Sequence, residues 1–249
     1  MKNKLLIYFI LIFNLSCSQR TTIFLSKESH EYKIEDITEE GKDIVIEITL
    51  KNSRKKPVAF VLDTTTLGKY YIVNEYVFES SSKYSSINEN IFAPRIMLLE
   101  NNKPLILNRM ISGAQWTEDA FEDLIRKSED NLQKKNKVLK DYQKKFFPSK
   151  KLDFVERAKY INDNLIILEP EGSLNFKILF NPYLYKYPNS NHGWNLELSK
   201  NYLFTIIIHN DKKLVMKYLN KSNLERIKKE KIYIEEEDLK SERILLKTK

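Results

Sequence analysis

Hydrophobic and polar residues alternate over residues 43–52: Ile44, Ile46, Ile48 and Leu50 fall on one face of an extended chain, Glu47, Thr49 and Lys51 on the other. A period of two held over this length predicts a half-buried strand. The polar stretch 52–57, ending in Pro57, reads as a turn and 58–62 as a second strand, so the two are expected to form a hairpin. Further strands are predicted at 70–78, at 96–99 paired with 105–107 across a turn at 100–104, and at 165–168, 174–180, 202–209, 213–218 and 232–234. Many short strands without regular strand–helix alternation favour an antiparallel sandwich over a parallel sheet. One stretch has the other period. Over 117–147 apolar residues recur at Ala120, Phe121, Leu124, Ile125, Leu132, Val138, Leu139, Tyr142 and Phe146, the spacing of an amphipathic helix, with Thr117 able to cap its start and Pro148 to stop it. Residues 150–160 are expected to form a shorter helix packed back on it, making 117–160 a helical excursion. The Ser-rich run 80–86 reads as a surface loop.

Composition narrows the chemistry. The apolar fraction of 42% over 249 residues is enough to bury a real core, in one or two domains. The five glycines, at 41, 68, 113, 172 and 193, are too far apart for any glycine-rich phosphate cradle. A single cysteine excludes an internal disulfide and any Cys-x-x-Cys site. His30, His192 and His209 are scattered and form no zinc motif, so neither a metal nor a cofactor is expected.

The amino terminus reads as an address. A positive start, with Lys2 and Lys4, precedes nine apolar residues from Leu5 to Phe13. That is about half of the ~20 residues a membrane span needs, and it is the layout of a secretory signal. The only cysteine, Cys17, follows directly after Leu15-Ser16, and this end of the leader resembles the lipobox of bacterial lipoproteins, with Asn14 where that family carries leucine. The resemblance implies removal of residues 1–16, acylation of Cys17 and anchoring to a membrane, with 17–30 as a tether and 31–249 as the domain. The competing reading is an ordinary signal peptide that leaves a free cysteine. Ser18-Gln19-Arg20 carries no acidic cluster of the kind that marks surface export in some lipoprotein systems, which implies the periplasm-facing leaflet of the outer membrane. Loss of Lys2 and Lys4 would lower the net charge from +8 to +6, a diffuse excess with no basic and aromatic groove for nucleic acid.

Two passages sharpen the fold. Residues 47–58 resemble the strand-turn-strand of immunoglobulin-like modules in bacterial envelope proteins. Residues 168–176 and 198–204 resemble their later strands, with Tyr202 placed like the corner tyrosine that enters one. The resemblance implies a mainly β, antiparallel immunoglobulin-like β-sandwich with a helical insertion.

Candidate site residues are few. Lys134, Lys135, Lys137, Lys140, Lys144 and Lys145 give the long helix a basic end, readable as an anionic-surface patch or as a solvated face matched to the helix dipole. Tyr183, Tyr185 and Tyr187 alternate ahead of Trp194, an aromatic row that could grip a sugar or a partner, or close the core. Catalytic signals are weak: His209 ends an apolar run, Glu169 and Glu171 flank Pro170 in a turn, and the acidic run 235–238 lacks the pattern of a calcium loop. The expectation is a non-enzymatic, lipid-anchored envelope protein that binds a protein or glycan. The alternatives are an enzyme acting on envelope polysaccharide and a protective lipoprotein that neutralises a toxin.

Overall fold

The computed structural model describes residues 21–25, 31–33, 44–65, 67, 91–105, 108–109, 118–181, 185–187, 190–194, 196–197 and 200–247. The chain runs through β1 (Thr21–Leu25), β2 (Glu31–Lys33), β3 (Ile44–Asn52), β4 (Val58–Val61), β5 (Arg95–Glu100), β6 (Lys103–Pro104) and β7 (Asn108–Arg109). Two helices follow, α1 (Glu118–Phe146) and α2 (Leu152–Asp163), then β8 (Leu165–Leu168), β9 (Ser173–Phe180), β10 (Tyr185–Tyr187), β11 (Ser190–Gly193) and β12 (Asn201–Ile208). Helices α3 (Lys212–Tyr218) and α4 (Lys221–Lys229) and strands β13 (Tyr233–Ile234), β14 (Leu239–Lys240) and β15 (Ile244–Lys247) complete it. The strand predicted at 70–78 and the loop at 80–86 lie outside the described residues.

Two antiparallel sheets share the main core. The first has the order β1-β3-β9, and the second β2-β15-β12-β5-β6, with β2 parallel to β15 and β14 added to β12. The alternation read in residues 43–52 is realised: β3 pairs with β9 from Ile44 opposite Phe180 to Lys51 opposite Ser173. Ile46, Ile48, Leu50, Ile178 and Phe180 point inward against Ile96, Leu98, Phe204, Ile206 and Leu246 of the facing sheet. A hairpin does follow β5, but with a tighter turn than the one expected at 100–104: its partner strand is Lys103–Pro104, Leu99 opposite Pro104, because Asn101 and Asn102 accept φ of 50° and 65°, the left-handed pair that a tight hairpin turn needs. Within the stretch 17–30 expected as a tether, Thr21–Leu25 forms an edge strand, Thr21 opposite Asn52.

The expected hairpin of β3 with β4 does not form. Strand β4 pairs antiparallel with β8 and parallel with β13, making a separate three-stranded sheet. The reason lies in its side chains: all four residues of β4 are at most 1% exposed. Val58 and Phe60 join the core between the large sheets, while Ala59 and Val61 face a second core built from α2, α3, α4 and β13. A strand paired into a one-sided sheet would leave alternate residues wet; this one is a middle layer, buried on both faces.

The strand predicted at 213–218 is the helix α3. Asp211 accepts the Leu214 N–H at 2.9 Å as its N-cap, and Leu214, Val215 and Tyr218 fall on one buried face at helical spacing. Asn220 caps α4 in the same way through the Asn223 N–H. The chain is therefore mixed α and β, with antiparallel sheets, and the helical part is larger than the excursion expected at 117–160.

The layers meet at Asn52, which is fully buried. Its amide nitrogen lies 2.9 Å from the Lys56 carbonyl and 3.0 Å from those of Leu168 and Glu169, and its Oδ1 accepts the Arg54 N–H. Its backbone N–H and carbonyl bond Gly172 and Glu171 across the turn into β9. Asn52→Ala strips a buried set of carbonyls of their donor, so urea denaturation should show a loss of about 3 kcal/mol. A loss under about 1 kcal/mol would contradict this role for Asn52.

Candidate functional site

The basic end of α1 does not form one patch. Leu139 is buried, with Tyr142 and Phe146 half-buried on the same stripe toward α2. Lys135 lies on that side and is ion-paired with Glu156 of α2. Lys137, Lys140 and Lys144 recur at helical spacing on the opposite, exposed face. Lys145 folds over the Phe146 ring at 4.9 Å.

Lys134 and Lys135 instead line an open groove of about 370 Å³ between α1 and α2. Its floor is Val138, Leu139 and Tyr160, and its rim adds Glu156, Lys159 and Asp163. The rim charges are largely matched, Lys135 with Glu156 and Lys159 with Asp163. Val138 remains 51% exposed and Leu132, a turn and a half earlier on α1, 56%. Burial, followed by the negative charge of Asp63, holds the Tyr160 phenol above its ordinary range, so it stays protonated as part of the floor.

The aromatic row divides. Tyr183 lies outside the described residues, as does Cys17. Tyr185 and Tyr187 lie in β10, Tyr185 opposite His192 and Tyr187 opposite Ser190 of β11. Trp194 is 3% exposed and packs edge-on against Phe180, centroids 6.1 Å apart, with its ring N–H toward the Leu105 carbonyl. It is a core residue and offers no ring face to a ligand.

The weak catalytic candidates separate as well. Glu169 and Glu171 are exposed on the turn before β9, where Glu171 binds Lys51 at 2.8 Å. Glu235 is buried and receives the Arg54 guanidinium at 3.3 Å, beneath which lies the Tyr233 ring. Comparison with known proteins returns no match, neither to a family nor to a curated relative.

One polar pair was invisible in the sequence because its members are 29 positions apart. His209 Nδ1 donates to Asp238 Oδ1 at 2.8 Å, and the Asn210 N–H reaches the same oxygen at 3.1 Å. The Phe92 ring stacks on His209, centroids 5.9 Å apart, and leaves the histidine 7% exposed. The pair fastens the end of β12 to the segment entering β14, which is a structural use of a histidine. Among the described residues no group of three ligating side chains could hold a metal, and no helix is long and apolar enough to cross a membrane.

Burial alone would raise the Asp238 carboxyl. The hydrogen bond and charge of His209, the Asn210 N–H and the Arg95 charge outweigh it and hold the group below the ordinary carboxylate value. A depressed folded-state value means that its stabilisation is present at neutral pH and is lost as pH falls below the ordinary carboxylate value and through the folded one. Asp238→Asn is thus expected to flatten the acid limb of a stability-versus-pH curve measured by thermal melting. An unchanged acid limb would assign that slope to other carboxylates.

Proposed function

We propose that this is a lipid-anchored protein of the bacterial cell envelope, built on an immunoglobulin-like β-sandwich, that holds a partner protein without catalysis in the groove between α1 and α2. For the fold, the support is the strand order: β3 and β9 stand as strands B and E of one sheet, and β5, β12 and β15 as C, F and G of the other. The Tyr202 hydroxyl accepts the Glu197 N–H at 2.9 Å, five residues upstream, in the manner of a tyrosine corner. For the anchor, the support is Cys17 at the end of the leader, three residues ahead of the first strand.

The observation that carries the binding reading is the uncovered apolar floor of the groove, bounded by charges already paired within the protein. Pre-paired rim charges leave the floor to supply affinity through burial, and they fix the register of a partner by excluding wrong charges. A floor of Val138, Leu139 and the partly buried Tyr160 suits the apolar face of a polypeptide. A sugar would want open aromatic faces, and Trp194 is buried.

A photo-crosslinker placed at Leu132 should capture one envelope protein, and Val138→Glu should reduce that capture at least about tenfold while leaving the melting temperature within a few degrees, because Val138 is half-exposed. Undiminished capture by Val138→Glu would contradict the groove. The anchor is tested separately by mass spectrometry of the amino terminus. A diacylated Cys17 is expected, and an unmodified Cys17 or cleavage elsewhere would contradict it.

A further inference from the structure

We propose that the domain rests on the membrane through one defined end, where a cluster of five exposed lysines contacts anionic phospholipid headgroups. The orientation rests on the acylated Cys17 reading; the lipid contact itself does not need the acyl chains.

The geometry begins at β1. If Cys17 carries the lipid, only Ser18, Gln19 and Arg20 separate it from Thr21, the first residue of β1. Four extended links span roughly 14 Å at most, so Thr21 stays within that distance of the headgroup layer. Thr21 is not a free end. It is registered opposite Asn52, whose side chain and backbone hold the loop 53–57, the end of β8 and the turn 169–172 together. This end of the molecule is therefore the one brought to the surface.

That end is basic. Lys55 and Lys56 project from the loop immediately after Asn52, both exposed. The Tyr233 N–H bonds the Pro57 carbonyl at 2.9 Å, and β13 starts beside Val58, so the turn that follows α4 leads onto the end of this loop. From there Lys228, Lys229 and Lys231 are exposed, with Lys231 held at φ 52° in the turn. Among the described residues none of these five lysines has an ion-pair partner. The acids of the same region are mostly taken: Glu171 by Lys51, Glu230 by Arg226, Glu235 by Arg54 and Glu225 by Lys221. Among the described residues of this region Glu169 is the exposed carboxylate that remains. Lysines gathered within a Debye length of a negative surface act together, and the short link keeps them there without an extra entropic cost of orientation.

The test uses the full mature chain carrying Cys17→Ser, which removes the acyl anchor, in sedimentation with vesicles of phosphatidylcholine alone or mixed with phosphatidylglycerol. Binding to the mixed vesicles is expected, weakening steeply with added salt and absent from the neutral ones. Charge reversal of Lys55, Lys56, Lys228, Lys229 and Lys231 to glutamate should lower it at least about tenfold. Neutralisation of the same five to glutamine should fall between and guards against a misfolded reversal variant, with thermal melting as the fold check. As a control, reversal of Lys137, Lys140 and Lys144 on α1 should leave it within about twofold. Equal binding to neutral vesicles, or loss only in the α1 variant, would overturn the proposal. Absence of acyl groups on Cys17 would overturn the anchor and the orientation it imposes, and leave the vesicle result to stand or fall by itself.

Discussion

The architecture depends on one strand that has no wet side. Val58 and Phe60 of β4 complete the core between the two large sheets, and Ala59 and Val61 complete the core under the helices. Removing a side chain from either set opens a cavity in a close-packed layer, and the neighbours on both faces lose contacts at once. Asn52 fixes where this strand begins. Its amide satisfies carbonyls from two segments, Lys56 before β4 and Leu168 and Glu169 at the end of β8, so the end of β3, the start of β4 and the turn into β9 are held as one joint. The two cores are thus coupled by sequence position as well as by packing.

That coupling explains why the helices sit where they do. Each strand of the small sheet lies in sequence between strands of the large ones: β4 between β3 and β5, β8 between β6 and β9, and β13 between β12 and β14. Connections between strands carry recognition in many sheet proteins because the scaffold is already paid for by its own core. Here the connections have built a layer with its own core, and both the α1–α2 groove and the lysine-bearing end belong to that layer and the loop feeding it. The His209–Asp238 pair, under Phe92, fastens the same region to the end of β12.

Where the pattern of the sequence reflects a single environment, the fold was legible in it. Strand β3 alternates because one face is core and one is solvent, and the turn after β5 is written in two asparagines that tolerate positive φ. Strand β4 was misplaced because an unbroken apolar run reports burial on both faces without naming the partners, and the adjacent turn suggested β3. Helix α3 reads as a strand in the sequence because seven residues give too short a window for the period; its local signals are the capping Asp211 and, two residues after the helix, Asn220. The groove was half legible. Lys134 and Lys135 were singled out for charge, while its floor requires the packing of α2 onto α1, and Val138 reads as core in a helical pattern although α2 leaves it exposed.

Strand β4 joins the sheets and the helical layer into one cooperative unit. Native-state amide hydrogen exchange tests it most directly, because a strand shared by two cores can open only when both do. The amides of residues 58–61 are expected to exchange as slowly as those of Phe204–Ile206 in the centre of β12, and with the same denaturant dependence. Exchange of residues 58–61 through a lower-energy opening, with β12 still protected, would contradict it.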